Sequence, residues 1–183
     1  MDIVAKMLSL DAALIDAGIP HAFGGALALA WCTKRARGTI DIDLNVFVAG
    51  HEATRVFAAL PGGVAVGPAE EAAVADHGQV RLDWDGVPLD LFFNTTPFHE
   101  GVGRRIRFES FAGRELPFLA CSDLAVFKAF FDRPRDWVDL VEMLEMGSVD
   151  VEVVLGTLVL MLGGDDVRVA RFTELAMESG ARR

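Results

Sequence analysis

The sequence predicts an α/β (α+β) protein: a small mixed β-sheet flanked by helices, followed by a C-terminal helical subdomain. Three patterns carry this expectation. Residues 39–48 read TIDIDLNVFV, with Ile40, Ile42, Leu44, Val46 and Val48 on one side and Asp41, Asp43, Asn45 and Phe47 on the other, the period-two alternation of a half-buried strand. Asp85-Gly86 sits between two apolar runs, where that dipeptide favours the tight turn of a hairpin. Beyond residue 120 the apolar positions recur at helical spacing. A chain of 183 residues with 52% hydrophobic residues supplies one core and a small helical appendage, with expected boundaries at 1–120 and 121–183.

The elements follow in order. Ile3, Met7, Leu10 and Leu14 share a helical face, and Gly18 and Pro20 end the helix. A short apolar strand, His21-Ala22-Phe23, breaks at Gly24-Gly25 before a small-residue helix over residues 26–33. The acidic strand comes next, then a helix over 51–60 closed by Pro61-Gly62-Gly63. The Gly/Ala-rich stretch to Ala75 gives no readable pattern. Residues 80–84 and 87–93 form the hairpin, whose register sets Arg81 opposite Asp90. Strands are expected over 106–111 and 116–119. Ser122 or Asp123 is expected to cap a helix over 124–131, and Pro134 to open another that runs to Met146. A final helical pair covers 151–162 and 167–177, with Asp165 as a cap.

Composition narrows the function. Seventeen Lys+Arg against 27 Asp+Glu leave a net charge of -10, which argues against nonspecific binding of polyanions. Cys32 and Cys121 lie far apart in apolar surroundings without a CxxC, the pattern of buried free thiols in a reducing compartment. No secretory leader is apparent, and the apolar run over 153–162 is shorter than the ~20 residues a bilayer requires. A cytoplasmic protein without a membrane segment is expected.

The chemistry concentrates in three acids. Asp41 and Asp43, two apart on a strand, project from one face, and each raises the cost of charging the other unless a cation intervenes. Asp90 sits within the apolar run PLDLFF, an unusual place for a merely solvated charge. Three oxygen-bearing ligands on two strands suit Mg²⁺ or Mn²⁺. Such a site fits two-metal transfer of a nucleotide from a triphosphate. Gly24-Gly25 at a helix start offers backbone N–H groups to phosphates. Arg37, just upstream of the acidic strand, adds charge. The bland alternative for Asp90 is a cross-strand salt bridge to Arg81. Arg104, Arg105 and Arg107 read as an exposed strand face, and the four histidines show no ligand spacing.

The ordered runs GGALALAW (24–31), RARGTIDIDL (35–44), PLDLFF (88–93) and DLAVFK to RDWVDL (123–140) resemble the minimal nucleotidyltransferase superfamily, particularly its abortive-infection and toxin-antitoxin branch. The resemblance spans about three quarters of the chain. It implies the polymerase β-like fold, with Gly24 and Gly25 on the triphosphate, Asp41 and Asp43 on metal, and Asp90 completing the catalytic site. It extends more weakly to Lys128 as a nucleotide-binding residue and to Asp136 with Asp139. The partners implied are a nucleoside triphosphate, an acceptor that is a tRNA end, a protein hydroxyl or a small molecule, and a cognate antitoxin. Two alternatives stand beside this reading: an inert nucleotidyltransferase-like module that only binds protein or nucleotide, and a nucleotide-sugar glycosyltransferase that also uses D-x-D.

Overall fold

The computed structural model describes residues 1–36 and 38–180, so Arg37, expected at the phosphates, lies outside the described residues. Helix α1 (Ile3–Asp16) starts where the Asp2 carboxylate accepts the Ala5 N–H at 2.8 Å, and it buries Met7, Leu10 and Leu14. Strand β1 (His21–Phe23) leads through Gly24 into α2 (Gly25–Thr33). Strand β2 (Ile42–Ala49) is followed by a short 3-10 turn and α3 (Ala53–Ala59). Helix α4 (Pro68–His77) then precedes the hairpin of β3 (Gln79–Trp84) and β4 (Val87–Asn94). Helix α5 (Pro97–Val102) and the hairpin of β5 (Arg107–Phe111) and β6 (Arg114–Phe118) complete the sheet-bearing part. Four helices remain: α6 (Cys121–Phe131), α7 (Pro134–Glu145), α8 (Val151–Leu162) and α9 (Val167–Glu178).

The sheet has six strands in the order β3-β4-β2-β1-β6-β5. The pairs β2/β4 and β1/β6 are parallel and the other pairs antiparallel, so the sheet is mixed as expected. Its core face is the apolar half of each alternation: Ile42, Leu44, Val46, Leu82, Trp84, Leu89, Leu91 and Phe93 are all buried. The tight turn forms at Asp85-Gly86, where both residues take positive φ (47° and 77°), as a type I′ turn requires.

Several boundaries differ from the sequence reading. The acidic strand begins at Ile42, and Ile40 is 81% exposed because the chain is still a bend there. The unreadable stretch contains α4, opened by Pro68 and by the Glu70 side chain accepting the Gly67 N–H at 2.9 Å. Helix α5 was not anticipated, being a six-residue element in a polar segment. Helix α6 starts at Cys121 with no side-chain cap, while Ser122 Oγ accepts the Asp150 N–H instead. Asp166 rather than Asp165 caps α9. Its carboxylate also accepts from the Arg168 guanidinium, which holds its pKa down at about 2.

The chain divides into two compact units, Met1–Leu27 with Gly38–Leu119, and Ala28–Arg37 with Ala120–Arg183, the division falling inside α2. Within the second unit Cys32 and Cys121 form a disulfide, correcting the expectation of free thiols. The bond ties the end of α2 to the start of α6 across 89 residues of sequence, a contact that spacing alone does not reveal. In the same unit Lys128 is buried between Asp136 (3.2 Å) and Asp139 (2.6 Å), and Arg133 reaches Asp136 at 2.7 Å. Among the described residues no helix is long and apolar enough to cross a membrane.

Two outcomes are expected from this architecture. A cross-link closing so long a loop removes much unfolded-state entropy, so Cys32→Ser/Cys121→Ser should lose about 2–5 kcal/mol in urea unfolding, and reduction of the wild type should reproduce the loss. His99, buried against the Phe47 ring and bonded to the Phe93 backbone, has its pKa lowered to about 4 by burial. The fold therefore excludes a proton that the unfolded chain binds near pH 6.5. His99 costs nothing above that pH, and stability falls by up to about 3 kcal/mol as pH drops from about 6.5 to about 4. His99→Leu should flatten the wild-type slope over that window in pH-dependent unfolding curves.

Candidate functional site

The site is assembled on the open face of β2, β3 and β4. Parallel pairing of β2 with β4 sets Asp43 directly against Asp90, and antiparallel pairing of β3 with β4 sets Arg81 directly against Asp90. One row across three strands thus reads Arg81, Asp90, Asp43. Residues facing each other in register share a sheet face, so the three side chains emerge together while Leu82, Leu89, Leu91, Ile42 and Leu44 anchor the strands beneath them. Asp41 stands just before β2, two residues from Asp43.

Arg81 grips Asp90 with two hydrogen bonds, Nε to Oδ1 at 2.7 Å and Nη2 to Oδ2 at 2.5 Å. The same Nη2 lies 3.9 Å from Asp41 Oδ2. The Asp90 hydrogen bond raises the Arg81 pKa further above its already high value, and the charges of Asp90, Asp41 and Asp43 all add to the effect. The guanidinium therefore feels all three carboxylates. The register inferred from Asp85-Gly86 holds, and the cross-strand ion pair is real. Asp90 nonetheless also neighbours the D-x-D pair, which a simple salt bridge does not require.

Asp41 is held from a second side. The Thr39 hydroxyl donates to Asp41 Oδ1 and also meets the Asp41 carbonyl at 3.2 Å, while the Asp41 N–H approaches Thr39 Oγ1 at 3.3 Å. The sequence reading did not single out Thr39. A Thr two residues before a functional Asp is the one signal that marks it, because a hydroxyl at that spacing can bond locally.

The glycine pair packs on Asp43. The Gly24 N–H donates to the Asp43 carbonyl at 2.9 Å, so the β1-to-α2 turn runs against the acidic strand. Gly25 takes φ +50°, and a Cβ there would fall 1.8 Å from Asp43 Oδ2. At Gly24 a Cβ would meet the buried Asn45 side chain at 2.9 Å. Absence of side chains here is what lets the start of α2 lie beside the carboxylate, with the helix N-terminal amides next to the acid cluster.

The structure thus brings together Asp41, Asp43, Asp90, Gly24 and Gly25, all within the first unit. Lys128 belongs to the second unit, where two carboxylates already accept its ammonium protons, so holding a phosphate would mean exchanging one of those bonds. Among the described residues no three carboxylate, imidazole or thiol groups converge as a ready metal cage. The donor chemistry still suits Mg²⁺ or Mn²⁺, which bind through one or two carboxylates with substrate phosphates and water completing the shell. A guanidinium drawn to Asp41 and Asp90 shows that this cluster attracts positive charge.

No family model and no curated protein matches the chain. Among solved structures it is similar to ANT(2'')-Ia in complex with adenylyl-2''-tobramycin, with a TM-score of 0.55, 16% identity, and coverage of 93% of this chain and 97% of that one. A solution structure of the antibiotic-resistance factor ANT(2'')-Ia matches with a TM-score of 0.48 and 15% identity over 98% and 91% of the two chains. An antigenic nucleotidyltransferase-like protein from Paracoccidioides brasiliensis matches with a TM-score of 0.47 and 14% identity over 92% and 93%. The first of these likenesses establishes a nucleotidyltransferase fold for this chain.

The close approach of α2 to Asp43 is directly testable. Gly25→Ala combines positive-φ strain with a collision, so it should destabilise the protein by about 2–4 kcal/mol. Gly113→Ala, at φ +80° with nothing within 4 Å of its Cβ, should lose only about 1–2 kcal/mol. Equal losses in urea unfolding would show that Asp43 yields without cost and that the packing does not constrain it.

Proposed function

We propose that the chain is a metal-dependent nucleotidyltransferase that moves a nucleoside monophosphate from a nucleoside triphosphate to an acceptor hydroxyl. The observation that carries this reading is the register: Asp43 directly opposite Asp90, two residues from Asp41, with the Gly24-Gly25 turn packed onto Asp43. The nucleotidyltransferase fold supports it.

Each group has a distinct task in this reaction. Gly24 and Gly25 let the triphosphate reach the N-terminal amides of α2, whose dipole favours negative charge. Asp41, Asp43 and Asp90 would hold Mg²⁺ or Mn²⁺, with Thr39 keeping one Asp41 oxygen in place. The bound metal would supply charge neutralisation for the phosphates and the leaving pyrophosphate. Asp90 orients the acceptor hydroxyl and takes its proton as the acceptor oxygen bonds to the α-phosphorus. The bond from that phosphorus to the bridging oxygen then breaks, and pyrophosphate leaves with the electron pair. Arg37 is assigned to phosphate by its charge just upstream of the acidic strand, and Lys128 by the sequence resemblance. The same resemblance suggests a toxin-antitoxin or phage-defence role, with a cognate antitoxin as partner.

A second reading has one observation in its favour. The two-point Arg81–Asp90 pair neutralises the third acid internally, as an inert binding module of the same fold would allow.

Purified protein, Mg²⁺ and each labelled nucleoside triphosphate, offered total RNA, protein extract and aminoglycosides as acceptors, separate these readings. Pyrophosphate release and label transfer are expected, and Asp41→Asn/Asp43→Asn should reduce the rate by about 100-fold or more. Nucleotide binding without transfer in every acceptor pool supports the inert module. Nucleoside diphosphate as the product points to glycosyl transfer.

A further inference from the structure

The acid cluster already holds a cation of its own. Arg81 satisfies both oxygens of Asp90 and sits 3.9 Å from Asp41, yet its side chain is 64% exposed while that of Asp90 is 16% exposed. It stands on β3, an edge strand of the sheet, where the described residues bridge the far side only through residues 64–65 at the Asp83–Trp84 end. A structural ion pair needs only one acid. Here a long, exposed side chain on an edge strand bonds one acid and approaches a second, Asp41.

We propose that Arg81 is the resident counter-cation of this cluster and the first phosphate ligand of an incoming nucleoside triphosphate, passing from Asp90 to phosphate as a divalent cation takes over the carboxylates. The inference rests on the nucleotidyl-transfer reading and adds a loading order to it. A guanidinium offers parallel N–H donors that match a phosphate as well as a carboxylate, so the exchange replaces one two-point grip by another. The side chain has room to make it, because it is 64% exposed as a whole.

The arrangement sets the sign of the coupling. Arg81 and a divalent cation compete for the Asp90 oxygens, so Arg81 weakens metal binding in the absence of nucleotide. A phosphate that draws Arg81 away frees those oxygens, and by reciprocity a metal on Asp90 frees Arg81 for phosphate. Metal and triphosphate therefore bind cooperatively through this one side chain. Thr39, which bonds Asp41 from the opposite side, keeps that acid in place during the exchange.

A double-mutant cycle tests this without any turnover. Inorganic tripolyphosphate serves as the probe, since it carries no base to choose, and its binding is measured by calorimetry in EDTA. The four proteins are wild type, Arg81→Gln, Asp90→Asn and the double variant. Asp90→Asn should tighten tripolyphosphate binding about tenfold when Arg81 is present and less than about twofold when it is Gln. Mn²⁺ binding without nucleotide, followed by electron paramagnetic resonance, should be several-fold tighter for Arg81→Gln than for wild type. Arg81→Lys, which keeps the charge without the fork, serves as a second variant and should also bind Mn²⁺ more tightly than wild type.

An equal gain from Asp90→Asn in both backgrounds overturns the proposal, because Asp90 would then act only as a repelling charge. So does unchanged or weaker Mn²⁺ binding by Arg81→Gln and Arg81→Lys. If none of the four proteins binds tripolyphosphate and none binds Mn²⁺, the nucleotidyl-transfer reading itself falls and this inference falls with it.

Discussion

Direct pairing of Asp43 with Asp90 across β2 and β4 is the constraint on which the site depends. Parallel strands in register place two carboxylates side by side on one sheet face, and Asp41 adds a third charge two residues away. Such a face is unfavourable without a cation, since each charge disfavours the next. The protein answers this with Arg81, placed by the β3–β4 hairpin opposite Asp90. The fold holds these acids together because their strands are fixed from below by Ile42, Leu44, Leu89 and Leu91, all fully buried. The energy of core burial thus maintains an arrangement of charges that would not assemble by itself.

The glycine turn solves the complementary problem of access. A helix start can approach the acidic strand only where no side chain intervenes, and both Gly24 and Gly25 lie where a Cβ would collide with β2 side chains. The Gly24 N–H to Asp43 carbonyl bond then fixes the distance between turn and strand. Negative carboxylates and positive helix-end amides end up next to each other, which suits a substrate whose phosphates take both a cation and N–H donors.

The helical unit is stabilised by different means. A disulfide joins α2 to α6, and the buried group of Lys128, Asp136 and Asp139, with Arg133 at its edge, links α6 to α7. Buried charges of this kind are tolerated only when paired, and here the ammonium is shared between two carboxylates. The residues DLAVFK and RDWVDL that carried part of the family resemblance are thereby accounted for as a packed ion cluster within one unit.

Local patterns were legible in the sequence wherever the responsible forces are local. The alternation of residues 42–48, the Asp85-Gly86 turn and the Arg81–Asp90 register follow from side-chain period and turn stereochemistry, which a few neighbouring residues determine. The D-x-D pair, Asp90 and the glycine pair were visible for the same reason, as residues out of place in apolar or strand surroundings. Tertiary structure alone decided the order of the strands, the opposition of Asp43 to Asp90, the hold of Thr39 on Asp41, the seat of Gly25 on Asp43, the burial of Lys128 between its acids and the bonding of Cys32 to Cys121. The Asp43–Asp90 and Cys32–Cys121 pairs join distant parts of the chain, Lys128 and its acids sit on two successive helices, and Thr39 depends on the bend that ends before β2. Contacts of that kind are selected by packing of the whole core, and no short window of sequence contains both partners and the surface that brings them together.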